Sequence, residues 1–244
     1  MAISALAAIT SIFALAGFVK GAIGLGLPTV AMGLLALVMT PAQAAALLVA
    51  PSFLTNVWQA LGPELAPLAR RLWPMLAGIS AGTWAGGGFI SADGTQASAA
   101  LGAVLALYGV LGLSSIEFRV PVGLEPWLSP LVGLATGLVT AATGVYMIPS
   151  VPYLQAIGLE KDRLVQALGL SFTVSTLALA ATLVRDGALR VPVAGASLGV
   201  LAPALAGMVL GQWLRASVRP QTFRLIFFAG ALLLGAYLVL RALV

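Results

Sequence analysis

A lysine stands inside the first long apolar stretch of this chain, and three glycines follow it closely. Lys20 precedes Gly21, Gly24 and Gly26 in a stretch that is otherwise largely apolar. A lysine within the hydrocarbon of a bilayer is costly unless it faces a polar cavity or an anion. Glycines let a ligand approach the backbone, and the N–H groups of a helix that resumes near Thr29 would attract negative charge. This spacing predicts the floor of a site for a small anion.

Polar residues within other apolar stretches could complete such a site. Asn56 and Gln59 are three residues apart, so they share one face of a helix. The further candidates lie in the second half of the chain and are Thr140, Thr143, Gly144, Tyr146 and Ser175. For each polar residue taken singly, the alternative is hydrogen bonding between helices, which is common in membranes. For Lys20, the alternative is a turn at the cytoplasmic surface, where it would only help to orient the chain.

The composition excludes most other kinds of chemistry. Of the 244 residues, 61% are apolar and 8% are charged, whereas about a quarter of the residues in a soluble domain are charged. No soluble core of this size hides so much apolar surface, so we expect an all-α polytopic membrane protein. The chain has no cysteine and no histidine. Disulfides, thiolate or imidazole catalysis and the usual zinc sites are therefore excluded, and we expect no enzyme, metal or other cofactor.

Ten apolar segments can be distinguished between charges, prolines and glycine clusters. Their approximate bounds are 2–19, 21–39, 42–61, 72–90, 97–116, 127–142, 143–158, 164–184, 192–213 and 223–243. The sixth and seventh hold about 16 residues each, and as helices they would be about 24 Å long. The hydrocarbon core is about 30 Å thick. These two segments therefore predict a hairpin that enters the membrane and turns back, and the first two segments are long enough for either arrangement.

Short patterns recur in the same order in the two halves of the chain. The matched positions are Gly17 and Gly24 with Gly137 and Gly144, Ser52 and Asn56 with Ser171 and Ser175, and Gly78 and Gly82 with Gly195 and Gly199. The offsets, 120, 119 and 117 positions, are nearly constant. A repeat of this kind predicts two copies of a five-segment unit, 1–116 and 127–244, joined by 117–126 within a single membrane domain. The glycines of the fourth and ninth segments are expected to allow close helix packing.

The second copy is expected to lie upside down in the membrane, because five is an odd number of segments. The distribution of Lys and Arg supports this arrangement. If segments 1–2 and 6–7 each dip in and return, the connectors divide into two sets with eight and three basic residues, Lys20 not counted. The richer set faces the cytoplasm, which places both termini on the opposite side. The basic excess, 12 against 7 acidic residues, therefore reflects topology, and no nucleic-acid partner is expected.

Two runs resemble a known family of membrane proteins, the TauE/SafE family. They are GFVKGAIGLG at 17–26 and PSFLTNVWQ at 51–59, and PYLQA at 152–156 supports them in the second half. The resemblance covers the whole chain and implies a bacterial exporter of sulfite or organosulfonates. Two departures concern the loops, since LGL stands at 25–27 where many members have three glycines, and VYM stands at 145–147 in place of a glycine-rich loop. Tyr146 would narrow the cavity or add a hydroxyl donor there.

The sequence therefore predicts a multi-pass transporter of the bacterial inner (plasma) membrane that moves a small sulfur oxyanion outward. Lys20 would neutralise the anion, while the glycine backbone and Thr143 would bind its oxygens where the two hairpins meet at the midplane. Alternating access would come from one repeat rocking against the other. An anion channel, a carboxylate importer and a scaffold subunit without transport activity are the alternatives. The expected partners are the anion and the lipid bilayer, and homo-oligomerisation is left open.

Overall fold

The computed structural model describes residues 2–92, 94–114, 119–214 and 220–243, and within them every regular element is a helix. The first half of the chain contains six helices. They are α1 (Ala2–Ile23), α2 (Leu27–Leu35), α3 (Pro41–Ala60), α4 (Leu65–Ala85), the single turn α5 (Phe89–Ala92) and α6 (Gly94–Leu113).

The second half begins with a 3-10 turn, Val122–Leu124, and continues with six further helices. They are α7 (Glu125–Thr143), α8 (Ser150–Ala156), α9 (Lys161–Arg185), α10 (Val191–Gly199), α11 (Leu201–Leu214) and α12 (Pro220–Leu243). The fourth and ninth apolar segments of the sequence are thus α4 and the broken pair α10–α11.

Six helical stretches of the described chain are long and apolar enough to cross a membrane. These stretches are Ser4–Ile23, Gly94–Leu113, Val122–Thr143, Lys161–Arg185, Val191–Leu214 and Gln221–Leu243. Many of their large apolar side chains point outward, such as Leu233 and Leu240 on α12, because the solvent around a membrane helix is itself apolar. The chain is an all-helical polytopic membrane protein, as its composition predicts.

The first break in the helices differs from the predicted one. The sequence suggests a break at Lys20, whereas α1 runs through Lys20 and ends at Ile23. Gly24 then adopts a φ of 77°, and its N–H closes the last turn on the Lys20 carbonyl at 2.7 Å. Lysine is an ordinary helix former, while glycine enters the left-handed region at little cost. The helix therefore ends because of Gly24 and not because of the charge on Lys20. The predicted boundary at residues 19–21 is wrong by about one turn.

The second break lies 120 positions later and has the same form. Thr143 ends α7, Gly144 has a φ of 70°, and its N–H bonds to the Thr140 carbonyl at 2.8 Å. The following helix, α8, has only seven residues. However, α7 with its preceding turn forms a stretch of 22 residues, so the prediction that segment 127–142 is too short to cross is wrong. The helix gains length because Glu125 and Pro126 form its first turn.

Glycines allow α1 to pack directly on α11. A Cβ atom on Gly17 or Gly21 would lie 2.0–2.1 Å from a carbonyl oxygen of α11. In return, a Cβ on Gly207 or Gly211 would lie 1.9–2.1 Å from a carbonyl oxygen of α1. The two backbones therefore touch along two turns, which is the close approach that small residues permit in membranes.

The same contact recurs between α4 and α7. A Cβ on Gly78, Gly82, Gly133 or Gly137 would lie 2.1–2.5 Å from a carbonyl oxygen of the partner helix. The predicted close packing of the fourth segment is thus confirmed for Gly78 and Gly82. In the ninth segment it holds for Gly207 and Gly211 but is wrong for Gly195 and Gly199, because a Cβ on either would meet nothing within 4 Å. The sequence match between Gly78 and Gly195 therefore does not reflect shared packing.

Two further helix pairs run antiparallel. Gly102 of α6 faces Gly235 of α12, and further along Gly109 faces Leu232. Likewise, α3 packs on α9 with Gly169 against Ala60. The last two helices named, α3 and α9, carry most of the polar side chains of the candidate site.

Candidate functional site

Lys20 is a buried residue of α1. It lies in the last turn of the helix, it is 5% exposed, and its ammonium Nζ donates a hydrogen bond to Asn56 Oδ1 of α3. The alternative position, an exposed charge in a surface turn, does not agree with this burial. Lys20 is the buried cation that the sequence pattern suggests.

Asn56 joins Lys20 to two other parts of the chain. Its amide Nδ2 donates to Tyr146 Oη at 3.1 Å and to Thr176 Oγ1 at 3.4 Å. Because Oδ1 accepts from Lys20, the amide uses its oxygen and both of its N–H groups within the protein. Lys20, Asn56, Tyr146 and Thr176 form one connected group, which we call the Lys20 cluster. It draws on α1, α3, the link between α7 and α8, and α9.

The positive charge of the Lys20 cluster has no acidic partner in the described part of the chain. The ion pairs formed there join Arg71 to Glu125, Arg163 to Glu64 and Arg185 to Asp186. An ammonium has three N–H donors, and one of those of Lys20 is used by Asn56. Burial of a charge without an opposite charge is costly, so the cluster favours an anion that would accept the other two.

Two further hydroxyl groups are buried on the helices α3 and α9 of the cluster. Ser52, one turn before Asn56 on α3, is 1% exposed and lies beside the Tyr146 phenol. Its Oγ nevertheless has no hydrogen bond of good geometry with any described residue. Ser175, next to Thr176 on α9, is also buried without such a bond. Buried hydroxyls normally have a partner, so Ser52 has a donor for the Tyr146 phenol or for a ligand.

The two breaks in the helices contact each other beside the cluster. Thr29 Oγ1, in the first turn of α2, donates to Met147 Sδ at 3.0 Å. On the other side of this contact, Met32 of α2 lies against Gly144. The non-helical link 144–149 is therefore enclosed by the first half of the chain, which explains why Val145 and Met147 are fully buried.

The candidate glycines have different environments. Gly21 faces the α11 backbone and serves helix packing, and Gly26, with a φ of 102°, lies against Val19 and the Phe227 ring. Gly24 differs from both, since a Cβ there would meet nothing within 4 Å. Of these three glycines, Gly24 is the one whose backbone has open space beside it.

Three other candidates already have hydrogen-bond partners within the protein. Thr140 Oγ1 donates to the Thr136 carbonyl at 2.7 Å. Thr143 Oγ1 donates to the Val139 carbonyl at 2.7 Å and accepts the Val145 N–H at 3.1 Å. Gln59 reaches across to α9 and donates to the Val165 carbonyl at 3.1 Å. The hydroxyl protons of both threonines are thus already used within their own helix.

Sequence reasoning missed two residues that the structure brings to this place. Thr176 lies 120 positions after Asn56, the same offset that relates Gly24 to Gly144, and this offset could have identified it. Ser52 belongs to a matched pattern but was not among the candidate residues. The remaining members, Lys20, Asn56 and Tyr146, were candidates from three separate stretches of sequence.

The comparisons with known proteins agree with the resemblance of the two runs. No curated protein and no solved structure matches the chain. A family model described as "Sulfite exporter TauE/SafE" matches residues 9–238, which include every member of the Lys20 cluster and both breaks. Since this match extends over nearly the whole chain, the protein belongs to the TauE/SafE family of membrane transporters.

Proposed function

We propose that this protein exports a small sulfur oxyanion, sulfite or an organosulfonate, across the bacterial inner membrane. One observation carries the proposal, which is that Lys20 is buried, has a neutral hydrogen-bond partner and has no carboxylate partner among the described residues. Its charge is therefore available to neutralise an anion. The family match supports sulfur anions as the substrate class.

The proposal assigns separate roles to residues in and around the Lys20 cluster. Lys20 neutralises the anion and donates two hydrogen bonds, and Ser52 donates a third. Asn56 holds the ammonium in place, because all of its own polar atoms are occupied. Thr143, whose proton is already used, fixes the backbone of the link beside the site, and the Gly24 backbone borders the space through which the anion approaches.

The membrane potential can drive this export. An interior-negative potential favours outward movement of a monovalent anion by about 2.3 kcal/mol per 100 mV. The described carboxylates lie at helix ends or in connectors, as Glu64, Glu125 and Asp186 illustrate. A carboxylate proton relay of the kind found in pumps is therefore not part of the proposal.

The proposed topology is two inverted repeats, 1–116 and 127–244, with both termini outside the cytoplasm. Reciprocal contacts support it, since α1 packs on α11 of the second repeat while α7 packs on α4 of the first. The pairs α3–α9 and α6–α12 each join a helix to its counterpart in the other repeat. Both pairs are antiparallel, as inversion requires. In this arrangement the Lys20 cluster lies between the repeats, near the middle of the membrane.

The helix contacts also support an assignment of the parts that would move during alternating access. Since the α1–α11 and α4–α7 contacts join backbone to backbone across the repeats, a repeat that rocked as a rigid body would have to separate both. We therefore assign the rocking motion to the α1–α11 pair against the α4–α7 pair. The Lys20 cluster and the contact of Thr29 with Met147 lie where these pairs would part.

A flux measurement tests the proposal. Lys20→Ala is expected to abolish sulfite and sulfonate flux in proteoliposomes, because the anion loses its counter-charge. The matched control is Lys161→Ala, since Lys161, the other lysine of the chain, is exposed at the start of α9. The control should keep full flux. Undiminished flux through correctly folded Lys20→Ala would disprove the central role of Lys20.

Binding measurements separate the export of sulfur anions from other functions. In a thermal-shift experiment, sulfite, sulfonates or thiosulfate are expected to stabilise the purified protein in a saturable way. Stabilisation by carboxylates alone would indicate a different substrate class. Flux that never drives a second solute against its own gradient would indicate a channel, and a protein with no saturable ligand would be a scaffold.

A further inference from the structure

We propose that Tyr146 sets an upper limit on the size of the anion, so that sulfite passes and sulfonates with bulky organic groups do not. The inference rests on the proposed function and specifies its substrate class. Tyr146 is the largest side chain among the fully buried residues of the described chain. It is also the member of the Lys20 cluster with the greatest volume, so it is the one that can restrict space.

The phenol ring lies between two helices of the site. Its Oη accepts a hydrogen bond from Asn56 of α3 at 3.1 Å, and its ring centroid is 5.1 Å from that of Phe172 on α9. Asn56 in turn bonds to Lys20. The ring therefore occupies the space between α3 and α9, and the Asn56 amide connects it to the cation.

The backbone that carries the ring is held on both sides. Ser150 Oγ donates to the Tyr146 carbonyl at 2.6 Å, and Thr143 Oγ1 accepts the Val145 N–H at 3.1 Å. Val145 and Met147, the two neighbours of Tyr146, are fully buried. A ring anchored in this way acts as a fixed wall of the site.

The equivalent position of the first repeat shows that a break of this kind does not require the ring. That position, 120 residues earlier, is Gly26, which follows Gly24 just as Tyr146 follows Gly144. The first break therefore forms around a residue with no side chain. Gly26 has a φ of 102°, whereas no described residue other than glycine has a positive φ, so the two links differ in backbone and the ring belongs to the second link alone.

The chemistry of the two ligands explains why volume is the discriminating property. Sulfite and a sulfonate present the same kind of oxygens to the Lys20 ammonium and the Ser52 hydroxyl. Two sulfonates of different size, such as methanesulfonate and benzenesulfonate, also carry the same single charge and differ only in the organic group on sulfur. A hydrogen-bonding residue cannot distinguish the shared oxygens, whereas a rigid ring beside the charge excludes the added volume, since a packed interior resists overpacking.

Competition in proteoliposomes tests this inference. In the wild type, excess methanesulfonate should compete with labelled sulfite, while benzenesulfonate should compete at least tenfold less well. Tyr146→Ala is expected to reduce this difference to less than threefold by opening the space. Tyr146→Phe removes only the hydroxyl, so it should preserve the size limit even where sulfite flux itself falls.

The outcomes distinguish this inference from the proposed function. No sulfite flux in the wild type would contradict the proposed function. Sulfite flux with equal competition by both sulfonates in the wild type would overturn the size limit alone, as would a Tyr146→Ala variant that keeps the wild-type difference. Tyr146→Leu, which retains an apolar side chain of intermediate volume, gives the same comparison if Tyr146→Ala does not fold.

Discussion

At the scale of single residues, the hydrogen bonds of Asn56 support the proposal that the buried charge of Lys20 binds an anion. The amide supplies one neutral acceptor, and its two N–H groups are fixed by Tyr146 and Thr176. A carboxylate in this position would neutralise the ammonium permanently. A neutral acceptor positions the ammonium and leaves the charge uncompensated, as an anion site requires.

Asn56→Asp tests this reasoning. A carboxylate about 4 Å from the ammonium interacts with it by about 4 kcal/mol at an effective dielectric constant of about 20. The ion pair should lower anion affinity at least tenfold, measured by thermal shift with sulfite, and decrease flux to a similar extent.

The control for Asn56→Asp is Gln155→Glu, which adds the same charge at an exposed position on α8. It should leave both measurements unchanged. If Asn56→Asp bound sulfite as tightly as the wild type, an uncompensated Lys20 charge could not be what attracts the anion.

At the scale of helices, the glycines of this chain have two separate roles. Some end a helix in the left-handed region, as Gly24 and Gly144 do. Others, such as Gly207, let two backbones touch. Both roles position the Lys20 cluster. Gly24 ends α1 shortly after Lys20, and the packing glycines hold α1 against α11.

A pair of glycine substitutions tests the packing role. A Cβ on Gly207 would lie 1.9 Å from the Ala14 carbonyl oxygen, so Gly207→Ala must push α1 and α11 apart. Overpacking of this kind typically costs about 1–3 kcal/mol. The unfolding temperature of the purified protein should fall.

Gly195→Ala is the matched change in the same broken segment, where a Cβ meets nothing within 4 Å. Alanine is favoured over glycine in a helix by about 1 kcal/mol, so this variant should be neutral or slightly more stable. Equal destabilisation by both substitutions would contradict the packing role of Gly207.

At the scale of the whole molecule, apolar patterning predicted the all-helical membrane architecture, and the spacing of glycines predicted where both breaks recur. The sequence could not place the first boundary, because hydropathy locates a break at the charge while backbone conformation locates it at Gly24. It also aligned Gly78 with Gly195, since residue identity does not reveal which face of a helix a glycine occupies. Thr176 was missed because the match at an offset of 119 aligned Asn56 with Ser175, the residue before it.

The assignment of the moving parts can be tested with introduced cysteine pairs, because the chain has none of its own. Ala14→Cys with Ala204→Cys, joined by a short thiol cross-linker, connects α1 to α11, whose backbones already touch near both positions. Thr29→Cys with Met147→Cys connects the two breaks, where the present side chains are 3.0 Å apart. If α1 and α11 move together, the first cross-link should leave anion flux nearly intact. The second cross-link should block flux, and cleavage of a reducible cross-linker should restore it. Both pairs join the two repeats, so a block by both cross-links would instead support rocking of whole repeats and overturn the assignment.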